Sequence, residues 1–316
     1  MSAADTKPHI AVMGSFVVDL MARAPHLPRT GETVKGDGFK MGPGGKGSNQ
    51  GVAAQRAGAE VDMITKIGTD AFSRIALDSF RGEGMHTRWV MQDPELATGA
   101  ALIMVDDETG DNKILVTLGA CAHMTDADIE AAREVIETSA VLLTQLETNL
   151  DAVEKTVNIA SSAGVTVILN PAPASQVPDE LLKQVDILTP NEVEASILSG
   201  VSIASPQDAG AAARALMARG ARSVIITLGS QGVLAMTGEE ERFIPSLKVD
   251  CVDATGAGDA FSGALATAIA EGQDIFEAAR FANVAAALSV TKLGTAPSMP
   301  RRSEIEQALS ELKGER

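Results

Sequence analysis

The chain has no tyrosine, one tryptophan and eight phenylalanines among its 316 residues. Its interior must therefore be built from Ala, Val, Leu, Ile and Met rather than from packed rings. The only cysteines, Cys121 and Cys251, have neither metal-ligand nor redox-motif spacing. That excludes a disulfide scaffold and a thiolate metal cluster, and a reducing, cytoplasmic setting is expected. The four histidines, His9, His26, His86 and His123, show no zinc-motif spacing. No apolar run is long enough to cross a bilayer, and Asp19 interrupts the first of them. Met1–His9 lacks the apolar core of a signal peptide. There is no G-x-S-x-G nucleophile elbow. Basic residues are in deficit, 26 Lys and Arg against 42 Asp and Glu, for a net charge of −16. That argues against a nucleic-acid or anionic-membrane surface. A bound nucleotide is still allowed, since backbone N–H groups and a metal ion can hold phosphates locally.

With 45% hydrophobic and 22% charged residues, the composition is that of a soluble globular protein. The length suits one large α/β domain with an added lobe, or two domains. Buried-strand patterns at Ile10–Met13, Val61–Ile67, Val141–Thr144, Thr166–Leu169, Asp186–Leu188 and Ser223–Leu228 alternate with helical ones. The helical patterns cover Asn49–Ala57, Ala71–Arg81, Asp126–Thr138, Leu150–Ala163, Glu192–Leu198 and Asp208–Ala218, with Thr125 as an N-cap. The alternation predicts a doubly wound, mostly parallel sheet with helices on both faces. Two pairs of β-like runs break the rhythm: Phe16–Ala22 with Glu32–Phe39, and Thr98–Val105 with Asn112–Leu118. They read either as a small antiparallel lobe or as ordinary edge strands. The last third is helical, over Ala260–Glu271, Ile275–Val290 and Ser303–Leu312.

Chemistry concentrates in a few segments. Asp253-Ala254-Thr255-Gly256-Ala257-Gly258-Asp259 opens an Ala-rich helix, so its glycines offer a phosphate free N–H groups at the positive end of a helix dipole. Asp259 is out of place there, because a carboxylate repels anions. It is either a helix cap worth about 1 kcal/mol or a general base beside a phosphate cradle. The loop Gly42-Pro43-Gly44-Gly45-Lys46-Gly47-Ser48-Asn49-Gln50 matches G-x-G-x-x-G but does not follow the first strand. Gly47 after Lys46 also rules out a Walker A loop. Its N–H groups, Lys46 and Asn49 suit the hydroxyls of a polar substrate; a plain β–α connection is the alternative. Asn191 and Glu194 share a helical face and offer hard oxygens for Mg²⁺, or else form a cap. Thr227-Leu228-Gly229-Ser230-Gln231-Gly232 and Glu147 end strands, where open α/β sheets bind ligands.

Taken together, Gly44–Gln50, Gln145–Glu147, Asn170–Ala174, Thr189–Glu192 and Asp253–Asp259 resemble the ribokinase-like (PfkB) carbohydrate kinases, with similarity from about residue 10 to about residue 312. The resemblance implies a single kinase domain over 1–316, with a β-sheet lid formed by about 15–42 and 97–119, and a homodimer joined through the lids. It implies ATP, Mg²⁺ and K⁺, and transfer of a phosphoryl group to the terminal hydroxyl of a pentose, D-ribose by default. By the same carry-over Asp259 is the base, and Gly256, Ala257 and Gly258 form the anion hole. Asp19, Gly45, Lys46, Asn49 and Glu147 fall on sugar positions. Asn191, Thr227, Gly229, Gly232 and Asn283 fall on nucleotide positions, with Glu194 organising Mg²⁺ through water. Asp253, Thr255, Ser289, Lys292, Gly294 and Ser298 fall on a monovalent-cation loop. Two departures stand out: Val17 and Cys121 replace residues that are Asn in ribose kinases of the family. Valine cannot pair a sugar hydroxyl, which points to 2-deoxyribose or another furanose as the alternative substrate. A sugar- and nucleotide-binding regulator without catalysis is the rival of a different class.

Overall fold

The computed structural model describes residues 7–314; the expectation for Met1–Thr6 lies outside them. The strands in chain order are β1 (His9–Met13), β2 (Val17–Ala24), β3 (Gly38–Gly44), β4 (Glu60–Gly68), β5 (Val90–Asp93), β6 (Thr98–Asp106), β7 (Asn112–Gly119), β8 (Val141–Thr144), β9 (Thr166–Leu169), β10 (Ile187–Leu188), β11 (Ser223–Thr227), β12 (Gly232–Thr237) and β13 (Glu240–Pro245). Nine form one sheet in the order β13-β12-β11-β10-β9-β8-β1-β4-β5. It is parallel from β11 through β5, with β12 and β13 added antiparallel. The chain starts in the middle at β1, runs outward to β5, then returns beside β1 at β8. The order therefore reverses between β1 and β8, and a crevice opens beyond their carboxyl ends.

Helices cover both faces, as the alternation predicts. One face buries Val12, Phe16, Val52, Phe80, Ala264, Phe281 and Ile305. The other buries Met13, Ile64, Ile136, Val157, Leu188 and Leu216. Rings are few in either layer, and alanine does much of the filling. The helices Lys46–Ala57 and Ala257–Ala270 lie against each other at Gly263, where a Cβ would come within 2.4 Å of the Gln50 carbonyl. That close approach puts the first turns of the two helices side by side.

Strands β3, β2, β6 and β7 form a separate four-stranded sheet, so the two rhythm-breaking pairs are a lobe rather than edge strands. β2 and β6 are parallel within it, while the outer strands are antiparallel. The expected strand at Glu32–Phe39 is corrected: pairing begins only at Gly38 and runs to Gly44. The register demands it, since Val17 at the start of β2 sits opposite Gly44. Pro43 is tolerated because β3 is an edge strand and needs no donor there.

Other boundaries also moved. Lys46–Asn49 forms the first turn of a helix rather than a loop. Asp126–Thr138 is two helices, because the Ala132 N–H bonds back to Ile129 O, a tighter turn than an α-helix makes. Thr125 does cap the first, in a box with Asp128. The sequence reading missed β5, which is short, and β13, which opens Glu-Glu-Arg and is mostly exposed. No helix among the described residues is long and apolar enough to cross a membrane.

Candidate active site

The reversal point between β1 and β8 gathers the first polar groups. Ser15 follows β1 and Glu147 follows β8, and the Ser15 hydroxyl donates to Glu147 Oε2 at 2.6 Å. The same oxygen accepts from the Lys46 backbone N–H at 2.9 Å. Glu147 thus ties the start of the helix Lys46–Ala57 to the crevice. Asp19 reaches in from β2: a Cβ on Gly44 would fall 2.3–2.5 Å from its carboxylate, so glycine makes room for it. Val17 is two residues earlier, hence on the same face of the strand, and it is buried.

Asp259 occupies the third position of the helix Ala257–Ala270 and is buried. Its oxygens accept from Asn49 Nδ2 and Gln50 Nε2, both at 3.0 Å. A helix cap would instead accept from the helix's own N–H groups, so the carboxylate is held across the helix pair and not as a cap. Gln50 also donates to Asn170 Oδ1 at 3.0 Å and accepts from Gln145 Nε2 at 2.7 Å. Asn170 in turn donates to Thr189 O. The first α-helical bond of this segment is Ala260 N–H to Gly256 O, so the N–H groups of Gly258 and Asp259 lie ahead of it and are available to a ligand. Asn49 Oδ1 is buried and has no partner; since its amide nitrogen must face the acceptor-only carboxylate, that oxygen is left for an incoming hydroxyl.

The charges are strongly coupled. Burial, reinforced by Glu147 and Asp259, pushes Asp19 up to about 6. Burial raises Asp259 as well, opposed by Lys46, Gln50 and Asn49. For Lys46 burial works downward, but Asp259, Glu147 and Glu194 outweigh it and the ammonium is held above its ordinary value. Glu194 is raised chiefly by burial, against the Asn191 N–H and Lys46. One ammonium therefore faces carboxylates on several sides.

Two cavities meet at the start of the helix Ala257–Ala270. The smaller, about 160 Å³, is lined by Lys46, Asn191, Glu194 and Gly256–Asp259. The larger, about 420 Å³, is lined by apolar groups such as Val233, Val249, Phe261 and Val290, together with Gly229, Gly232 and Asn283. They share Thr227, Ala254, Ala257 and Gly258. Asn191 and Glu194 form a reciprocal capping box, at 2.8 and 2.9 Å, so the capping alternative describes one atom of each. The Asn191 amide nitrogen and Glu194 Oε1 stand outside it. The Asn283 amide donates to Ile244 O and Pro245 O, at 3.3 and 2.9 Å, and so pins the end of β13 to the cavity wall.

Asp253 binds the N–H groups of Thr255 and Gly294, which joins the segments 253–255 and 289–298. There Ser289 and Ser298 donate to Ala286 O and Thr295 O, and the Lys292 ammonium pairs with Glu304 at 2.7 Å. These side chains are occupied, which leaves backbone oxygens to face an ion. Cys121 is buried over Leu118 O, and burial pushes its thiol up to about 12, so it acts as a small apolar group. Gln50, Gln145 and Asn170 were not singled out as site residues from the sequence. The signal was faint: each is an amide inside a quoted segment, and only the chain of bonds by which Gln145 and Asn170 fix Gln50 against Asp259 gives them a task.

The model of the pfkB family carbohydrate kinases matches residues 7–302. The ribokinase of Haemophilus influenzae is 41% identical over 300 residues, covering 95% of this chain and 98% of that protein. A deoxyribokinase of Salmonella typhimurium is 36% identical over 302 residues, covering 95% and 98%. The structure of Arabidopsis thaliana ribokinase complexed with ribose and ATP aligns with a TM-score of 0.87 at 31% identity, covering 96% of this chain and 98% of that one.

Proposed function

The chain belongs to the pfkB family of carbohydrate kinases, phosphotransferases acting on a sugar hydroxyl, and we propose that it moves the γ-phosphoryl group of ATP to the terminal 5-hydroxyl of a pentose. D-ribose is the first substrate and 2-deoxyribose the alternative. The observation that carries this reading is Asp259: a buried carboxylate held by two amides, at the first turn of a helix where two cavities meet. In this role it takes the proton of the attacking hydroxyl, a contribution of about 10²- to 10⁴-fold. The turn Gly256, Ala257 and Gly258 receives the charge that spreads over the transferring phosphoryl oxygens, chiefly through the N–H groups of Gly256 and Gly258, since the Ala257 N–H also donates to Ala254 O at 3.3 Å. Asp19, Gly45, Lys46, Asn49 and Glu147 hold the sugar. Asn191, Thr227, Gly229, Gly232 and Asn283 frame the nucleotide.

The residues present fit both implied cations. Glu194 is buried beside Lys46 and Asp259, and its free oxygen would hold Mg²⁺ through water; Mg²⁺ supplies charge neutralisation of the phosphates. The loop of Asp253, Thr255, Ser289, Lys292, Gly294 and Ser298 suits K⁺ through backbone oxygens, since its side chains are engaged elsewhere. The 2-deoxyribose alternative rests on Val17, an apolar group on the same strand face as Asp19, and on the deoxyribokinase relative.

The small sheet acts as the lid, over about 15–42 and 97–119 of one kinase domain, and as the partner surface. Phe39, Met41, Leu102 and Leu115 are 68%, 52%, 48% and 64% exposed. Met41 on β3, Leu102 on β6 and Leu115 on β7 share one rung with Leu20 of β2, and Phe39 lies on the next rung of β3, all on the face away from Asp19. An exposed apolar row of this kind marks an interface, and a second copy of the same row is its natural cover, giving a twofold dimer. The unpaired cysteines accord with a cytoplasmic setting. The reading is tested with a panel of pentoses, deoxypentoses and hexoses assayed for ADP release with Mg²⁺, with and without K⁺. We expect turnover on ribose or 2-deoxyribose well above any hexose; a hexose as the best acceptor would overturn it.

A further inference from the structure

At the foot of the large sheet, the end opposite the crevice, two imidazoles meet one carboxylate oxygen. His9 opens β1, Glu60 and Asp62 open β4, and His86 lies in the connection before β5. Asp62 Oδ2 is 2.6 Å from His9 Nε2 and 3.0 Å from His86 Nδ1. The other ring nitrogen of His86 is 3.1 Å from Glu60 Oε1. Backbone pairing fixes all four residues. His9 is the ladder partner of Glu60. The His86 N–H donates to Val61 O at 2.8 Å, and the Ala140 N–H to His9 O at 2.9 Å. Spacing in the sequence, 53 residues from His9 to Asp62 and 24 more to His86, carries no metal motif; the strand order creates the cluster.

We propose that His9 Nε2, Asp62 Oδ2 and His86 Nδ1 form a binding site for a divalent transition-metal ion of the zinc type. Their donor atoms lie within 4.8 Å of one another, and among the described residues this is the only such group of three or more. Both rings point a nitrogen at the same carboxylate oxygen, so one ion replacing two N–H protons uses axes already in place. Zn–N and Zn–O bonds of about 2.0–2.1 Å in a tetrahedron separate neighbouring ligands by about 3.3 Å. The two Asp62 contacts must therefore open by about 0.3–0.7 Å, and the two imidazole nitrogens, within 4.8 Å of each other, close by at most about 1.5 Å; the His86 side chain is 46% exposed and free to give way. Glu60 supplies the carboxylate that a metal-bound imidazole ordinarily finds on its second nitrogen. Asp62 and His86 also line a cavity of about 570 Å³, which leaves a fourth position for water. Two imidazoles and one carboxylate favour zinc-like ions over Mg²⁺, which takes oxygen ligands.

The test uses the untagged full chain, stripped with chelator and kept in excess Mg²⁺ to occupy hard-oxygen sites. Zn²⁺ is titrated by calorimetry, and Co²⁺ by its visible absorption. We expect one equivalent bound, with the intense bands of four-coordinate Co²⁺ and a rise in melting temperature. His86→Gln should weaken binding at least tenfold, and Glu60→Gln by about tenfold through the outer carboxylate. His86 is half exposed, so its variant should fold; circular dichroism of the metal-free protein checks that. Absence of stoichiometric binding, or binding unchanged by His86→Gln, overturns the site.

Discussion

Replacing Asp259 by Asn separates the chemical role of this carboxylate from its structural one. The two oxygens of Asp259 accept from Asn49 and Gln50, whereas an amide offers one acceptor and one donor. Gln50 cannot turn, because Gln145 Nε2 donates to its Oε1 at 2.7 Å. Asn49 can, since its Oδ1 has no partner. Rotating that amide by half a turn gives the new side chain an acceptor, so both contacts survive. Two hydrogen bonds to a charged group, about 1.5–3 kcal/mol each, become neutral ones of about 1. Against that loss, the variant no longer buries a charge that desolvation disfavours. The two effects have opposite sign and offset each other, so the melting temperature should move by only a few degrees. Turnover should fall by about 10²- to 10⁴-fold, or roughly 3–5 kcal/mol of barrier, while the sugar still binds. Steady-state ADP release, calorimetric sugar binding and a thermal melt read the three quantities independently. A kcat within tenfold of the parent, in a variant that melts normally, refutes Asp259 as the base.

Three further outcomes follow from the same geometry. Val17→Asn gives a sugar hydroxyl a partner worth about 1–3 kcal/mol, so kcat/KM for ribose relative to 2-deoxyribose should rise about 5- to 150-fold; no change, or the opposite change, removes Val17 as discriminator. Asp19 titrates near 6, raised by burial and two neighbouring carboxylates, and it must be ionised to accept sugar hydroxyls. Lowering the pH through that value should therefore cut kcat/KM by up to tenfold per unit, and an identical acid limb in Asp19→Asn would assign the titration elsewhere. Leu115→Glu places a charge at the β7 end of the exposed apolar row; sedimentation should show a dimeric parent and a monomeric variant, and a variant that stays dimeric would move the interface off this sheet.

Legibility varied with the range of the interaction involved. The buried parallel strands were visible because each is a short apolar run between helical patterns, and local pattern is enough to define such an element. The lobe pairs were visible as strands, but their register was not. The shift of β3 to Gly38–Gly44 comes from pairing with β2, a partner that no local signal announces. Lys46–Asn49 read as a loop because Gly47 and the glycines before it are poor helix formers; close packing of Gly47 on Gly14 and Ser15, with the Ser48 N–H donating to Ser15 O, overrides that propensity.

The sequence alone determined the alternating α/β architecture, the glycine-rich helix opening at Gly256–Gly258 and the oddity of Asp259, since these are properties of neighbouring residues. The tertiary structure decided what Asp259 touches. Gln50, Gln145 and Asn170 come from three separate parts of the chain, and only the close contact of two helices at Gly263 brings Asn49 and Gln50 onto the carboxylate. The same holds at the foot of the sheet, where strand order puts His9, Asp62 and His86 around one point. Propensity and pattern act over a few residues, whereas buried hydrogen bonds and ligand sets are satisfied only between segments that the fold has already brought together.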